Sequence, residues 1–259
     1  MNGGRLLAHQ FGYEQKLFWR SPPTVFFSVA LPLVFLFLIG AVFGSAAARD
    51  AKYGLLADQY LVPAIMTLGI VSATFVNIAM VVTYQREMGV LKRLRGTPLP
   101  TWAFVGGRTA TAVVNAGLIA VVILIAGKLA YGVDLTLTRL AGMAIATIVG
   151  AASFSALGFA LTIVIPSQSA ATAITNMIVL PLYFVSGVFG EADKLPAGLA
   201  AIGKFFPIEH LGACLFETFN PNATGIGLHV TDLAIVMAWG AFGLICSALR
   251  FRWEPRENR

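Results

Sequence analysis

Tyr84-Gln85-Arg86-Glu87-Met88-Gly89-Val90-Leu91-Lys92-Arg93-Leu94-Arg95-Gly96-Thr97-Pro98-Leu99-Pro100 places four basic residues and one acid between long apolar neighbours. The 27 residues 59–85 carry no charge, and 19 more uncharged residues, 109–127, follow soon after. Gly96, Pro98 and Pro100 close the stretch. Wound as one helix over 84–95, it puts Met88, Val90, Leu91 and Leu94 on one side and Arg86, Lys92 and Arg93 on the other. Glu87 and Arg95 fall off that division. The pattern predicts a short helix at a membrane surface that offers charge to something in the water.

The rest of the composition agrees. Hydrophobic residues make up 58% of the 259-residue chain and charged ones 12%, about half the charge of a soluble domain. The chain therefore reads as one all-α, polytopic membrane domain over 1–259. Its net charge of +6 is read as membrane topology rather than as affinity for nucleic acid. Cys214 and Cys246 have neither metal-ligand nor redox-pair spacing, and read as small buried apolar side chains. The polar, aromatic first twenty residues do not read as a cleavable signal peptide.

Taken in order, residues 5–19 form an amphipathic helix with Arg5, His9, Gly12 and Lys16 along one face, suited to lie in the headgroup region. A soluble helix packed on a partner is the alternative. Uncharged runs then predict six transmembrane helices, at about 24–43, 60–83, 104–129, 140–165, 169–189 and 228–249. Pro32 is expected to kink the first. The fourth and fifth share a single 51-residue uncharged run, 140–190, turned at Pro166-Ser167-Gln168-Ser169. Residues 191–227 are moderately apolar and broken by Pro196, Gly198, Gly203, Pro207 and Pro221. Half-helices dipping in from one side, or a surface loop with two short helices, both fit.

Six spans put both termini on one side, with the stretch at 84–95. That side holds twelve basic and four acidic residues, a balance of +8, whereas the other holds six and eight, a balance of −2. The positive-inside rule assigns the termini and the 84–95 helix to the cytoplasm, in a plasma (inner) membrane.

The missing chemistry narrows the function. The predicted spans contain no ionisable residue near the bilayer centre, where a proton- or sodium-coupled transporter commonly keeps one. His9, His210 and His229 fall in terminal or loop regions, which gives a metal no ligand set, and no serine has a base beside it in the membrane. No segment matches the nucleotide-binding loop G-x-x-x-x-G-K-[ST]. Hence no catalytic residue, metal or cofactor is expected on this chain. If it does work, another subunit supplies the energy.

At this point Arg86-Glu87-Met88-Gly89-Val90-Leu91-Lys92-Arg93-Leu94-Arg95-Gly96-Thr97-Pro98-Leu99, with Gly107-Arg108, resembles the membrane subunits of type 2 ATP-binding cassette exporters. That permease family includes drug- and polysaccharide-export proteins. The N-terminal helix, the six spans and the broken segment bearing Phe206-Pro207-Ile208-Glu209-His210 match as well, so the resemblance covers essentially the whole chain. Val90 departs from the Thr that many relatives carry. The resemblance implies that 84–95 is a coupling helix seated in an ATPase subunit, with Arg86, Glu87, Leu91, Lys92, Arg93 and Arg95 at that interface. It also implies a second permease, identical or homologous, two ATP-binding subunits that hold the ATP and Mg, and export. Topogenic charge alone is the competing explanation of the basic stretch.

Polar side chains in the spans are candidates for the substrate path: Thr67, Thr74 and Asn77 in the second, Thr172, Asn176 and Tyr183 in the fifth. Interhelical hydrogen bonding within one subunit is the alternative for each. Gly142, Ala146 and Gly150 form a small-residue row that predicts close helix packing. A membrane scaffold whose basic loop docks a soluble partner, and a secondary transporter, are the other two functions weighed.

Overall fold

The structure, a computed structural model, describes residues 3–43, 53–97, 99–188 and 196–250. Among these the architecture is all-helical: α1 (Gly3–Trp19), α2 (Pro22–Val25), α3 (Leu31–Phe43), α4 (Ala57–Val71), α5 (Asn77–Glu87), α6 (Val90–Arg95), α7 (Thr101–Tyr131), α8 (Leu137–Leu161), α9 (Gln168–Val185), α10 (Ala197–Phe205), α11 (Pro207–Phe219) and α12 (Val230–Arg250). The predicted loop around 49–52, the first residues of the 191–227 segment and the basic tail after Arg250 lie outside the described residues.

Among the described residues five helices are long and apolar enough to cross a bilayer: Gln59–Glu87, Thr101–Tyr131, Leu137–Leu161, Gln168–Val185 and Val230–Arg250. They overlie the second to sixth predicted spans. The first of them is α4 and α5 joined through a π-helical stretch, Ser72–Val76. The first predicted span, 24–43, is helical backbone throughout, from Pro22 to Phe43, and its apolar helix among the described residues is Ser28–Val42. The kink expected at Pro32 is expressed as a widened turn. Proline lacks the N–H for an i−4 bond and its ring clashes with the carbonyl at that position, here Ser28, inside the π-helical stretch Phe26–Ala30.

The segment expected as half-helices or a surface loop is a bent pair. α10 and α11 meet at 83° and together are apolar enough for one broken span. Their corner reaches the middle of α12, where the Trp239 ring lies 5.4 Å from that of Phe205 and 5.8 Å from that of Phe206. The Trp239 indole N–H donates to the Phe205 carbonyl at 3.1 Å. From this corner α11 runs back between α4, α8 and α12, burying Ile208, Leu211, Cys214, Leu215, Phe216 and Phe219. Interrupted backbone at that depth is thus covered by protein. The small-residue row on α8 serves this packing: a Cβ on Gly150 would stand 2.6 Å from Leu211, and Gly142 fits against the Ile226 carbonyl.

His210, one turn into α11, holds the corner. Its Nδ1 lies 2.6 Å from an Asp232 carboxylate oxygen at the start of α12, and its Nε2 lies 2.8 Å from the Lys204 carbonyl at the end of α10. His229 Nδ1 reaches the other Asp232 oxygen at 3.1 Å. The loops at this end are further tied by Lys128 to Asp134 at 2.6 Å, and by Arg139 to the carbonyls of Pro221 and Ala223. The opposite, basic end holds α1, α6 and the α8–α9 turn.

Candidate functional site

The basic end is built around the junction of α5 and α6. The 84–95 stretch is not one helix. α5 continues through Glu87, and Gly89 takes a left-handed backbone (φ 68°) before α6 starts. The Met88 and Gly89 amides turn back to the carbonyls of Tyr84 and Arg86, a helix stop that a residue free of Cβ strain permits. This break separates what the helical wheel had combined. Arg86 and Glu87 belong to the end of a span, whereas Lys92, Arg93 and Arg95 belong to a separate short helix.

Arg86 and Glu87 both act on the turn between α8 and α9. Arg86, expected at the ATPase surface, is buried, with 4% of its surface exposed. Its guanidinium donates to the carbonyls of Thr162 at 2.7 Å and Ile165 at 2.6 Å, where α8 ends. A Glu87 carboxylate oxygen accepts the Gln168 amide at 2.6 Å, the first residue of α9. A cation therefore meets the carbonyl end of one helix and an anion the amide end of the next, each the favourable sign for the backbone dipole there. Ser167 completes the α9 cap by accepting from the Ala170 amide. Two neighbouring residues of α5 thus clamp the whole turn.

Leu91, also expected at the interface, points inward. It is fully buried with Ile78, Val82, Phe104 and Phe159, and fastens α6 to α5, α7 and α8. Lys92, Arg93 and Arg95 are exposed, as is Glu87 despite its bond to Gln168. The junction has an apolar and hydrogen-bonded inner side and a basic outer side.

A second network ties α1 to the same block. Glu14 and Arg108 form an ion pair at 2.7 Å, with only 6% and 7% of the two side chains exposed. Arg108 also donates to Gln85 at 2.9 Å and stacks over Phe104, its guanidinium carbon 5.5 Å from the ring centre. Gln10 donates to the second Glu14 oxygen, and Gln15 reaches Asn115 at 3.3 Å. Close approach of α1 needs Gly107, since a Cβ there would lie 2.6 Å from the Gln10 side chain. From the sequence, Glu14 and Arg108 enter only the charge balance of the basic side and, for Arg108, the family resemblance, with no pairing between them, and Gln85 has no role of its own. Glu14 is the one acid in α1 and Arg108 lies two turns into α7, so their opposite signs were the available signal.

The substrate-path candidates separate into two groups. Thr67, Thr74 and Tyr183 are interior. Thr67 donates to the Pro63 carbonyl at 2.8 Å and Thr74 to that of Ile70 at 2.6 Å, each one turn back. Tyr183 donates to the Leu68 carbonyl at 3.1 Å and joins α9 to α4. Asn77 is half-buried. Thr172 and Asn176 lie on the exposed side of α9, with Met177 (71% exposed) and Leu180 (53%). Thr172 also lines a groove of about 590 Å³ at the basic end, with Tyr84, Glu87, Gln168 and Ser169.

These features define a multi-pass helical membrane protein whose basic end couples a surface helix to its spans. The chain belongs to the ABC-2 type transporter family, whose sequence profile matches residues 10–219. It is a transmembrane transport component, and family membership implies association with an ABC ATP-binding subunit. A transport permease, ycf38, of Porphyra purpurea is 24% identical over 243 residues, covering 92% of this chain and 82% of that protein. Nodulation protein J of Rhizobium leguminosarum bv. viciae is 27% identical over 223 residues, covering 80% of each.

Proposed function

We propose that this chain is the membrane subunit of an ATP-driven exporter. Two permeases, identical or homologous, pair across the membrane with two ATP-binding subunits, which hold the ATP and Mg and carry out hydrolysis. The charge balance supports a cytoplasmic position for the termini and the basic end, in the plasma membrane. The observation that carries the reading is the junction of α5 and α6. Its basic residues Lys92, Arg93 and Arg95 face outward, while Arg86 and Glu87 grip the turn that leads into α9. An ATPase bound to α6 would pull on the α8–α9 turn through two charge-assisted contacts. α9 is the natural lever, because its most apolar stretch is only 22% buried within the subunit.

The exposed polar pair Thr172 and Asn176 supports a path along α9, since an amide facing out of a span favours protein or water over lipid. The apolar side chains beside them fit a hydrophobic or amphipathic cargo, such as a drug, a lipid or a lipid-linked glycan. A charge exchange tests the coupling role. Glu87→Arg combined with Arg93→Glu is expected to leave membrane insertion unchanged and to lower co-purification of the ATPase at least tenfold. Normal association of a correctly inserted double variant contradicts it. Absence of ATP-driven flux in vesicles holding the unaltered complex, with association intact, would favour a scaffold that docks a soluble partner.

A further inference from the structure

α8 and α9 are joined by a short turn, yet they do not run side by side. α8 packs on α7, α11 and α12, while α9 packs on α5 and α10. The wedge between them, closed on its far side by α12, is a cleft of about 560 Å³, within the range of ligand-sized sites. Its walls are apolar. Leu157 and Leu161 come from α8, Ile178 and Leu182 from α9, and Phe242 and Cys246 from α12. The charged residue among the lining groups is Arg250, at the basic end, and the Phe206–Trp239 corner closes the other end.

The dimensions identify the occupant. From Trp239 to Arg250 the cleft follows twelve residues of α12, whose eleven rises of 1.5 Å span about 16 Å. That is about half of the ~30 Å hydrocarbon thickness, or one leaflet. A cavity that begins at a guanidinium at headgroup level and ends at mid-depth matches one acyl chain beneath an anionic headgroup. A guanidinium at this level favours a headgroup with net negative charge over a zwitterionic one, whose phosphate is offset by its own cation. We propose that this cleft binds an anionic phospholipid from the leaflet at the basic end, one chain between α8, α9 and α12 and its phosphate on Arg250. The site stands independently of the exporter reading, because it needs only the fold and the charge at one end. A bound chain would brace α9, so lipid composition would set how freely this span moves.

The test uses the full chain in nanodiscs of phosphatidylcholine containing a trace of phosphatidylglycerol with a photoreactive group on one acyl chain. Labelling is expected on peptides containing Leu182 and Cys246. Unlabelled phosphatidylglycerol should compete with it, and added phosphatidylcholine should not. Arg250→Gln should weaken that competition about fivefold, the weight of one basic residue near an anionic surface, and Arg250→Lys should restore most of it. Cys246→Trp, which fills the cleft, should abolish labelling there while the protein stays monodisperse. Equal competition by both lipids, an unchanged Arg250→Gln profile, or labelling spread evenly over lipid-facing helices overturns the proposal. So does a Cys246–Cys246 crosslink showing that a second copy fills the cleft.

Discussion

Replacing Arg86 with methionine is expected to abolish ATP-driven transport while leaving the ATPase bound. The substitution leaves the carbonyls of Thr162 and Ile165 without their buried donor, and removes the link from α5 to the α8–α9 turn. Hydrogen bonds from a charged group contribute about 1.5–3 kcal/mol each, so the loss of both costs about 3 kcal/mol or more. Lys92, Arg93 and Arg95 remain on the outer surface, so association with the partner persists. The signature is therefore continued ATP hydrolysis with flux near background. Arg86→Lys keeps a charge and can reach one carbonyl, so it should retain part of the flux. Wild-type transport by Arg86→Met would remove the clamp from the mechanism.

The second large effect concerns α1. Arg108→Met leaves the Glu14 carboxylate buried opposite no cation, and breaking a buried pair from one side costs about 3–5 kcal/mol. Thermal unfolding of the purified protein should shift down strongly, and α1 should become open to proteolysis. Glu14→Gln is expected to do less damage, because the amide oxygen still accepts from Arg108 and Gln85 still accepts a second donor. Glu14→Leu with Arg108→Met should be less destabilising than Arg108→Met alone, since no unpaired charge stays behind. Equal losses for the double and the single variant would show that the pair itself contributes little and that packing of Gln10 against Gly107 holds α1.

Much of this was legible in the chain because bilayer thickness and charge placement act on long stretches. Runs without charge located the long apolar helices, and Pro166-Ser167-Gln168-Ser169 marked the turn that the structure makes at 162–167, although the two helices then diverge. The junction was not legible in the same way. A helical wheel over 84–95 assumes continuous helix, and the left-handed Gly89 rotates everything after it. Hence Leu91 kept its apolar side and turned out buried, but Arg86 moved from the outer basic face to the interior. Its partners are backbone carbonyls some 80 residues away in sequence, which carry no side-chain signature to read. The threonines show the same limit. A threonine in a span satisfies its hydroxyl on its own helix as easily as it lines a path, and only the fold decides. The bent pair α10–α11 was half legible: its prolines and glycines showed the interruption, while its depth depended on Trp239, thirty-odd residues on.

The outer face of α6 is the seat proposed for an ATP-binding subunit. The most direct measurement is site-specific crosslinking in native membranes, with a photoreactive group at Lys92 and, separately, at Thr224 at the opposite end. A subunit seated there gives a crosslink from position 92 that changes in yield when ATP is added, and none from position 224. Absence of the crosslink at 92 in membranes where the two proteins co-purify, or its appearance at 224, would contradict it.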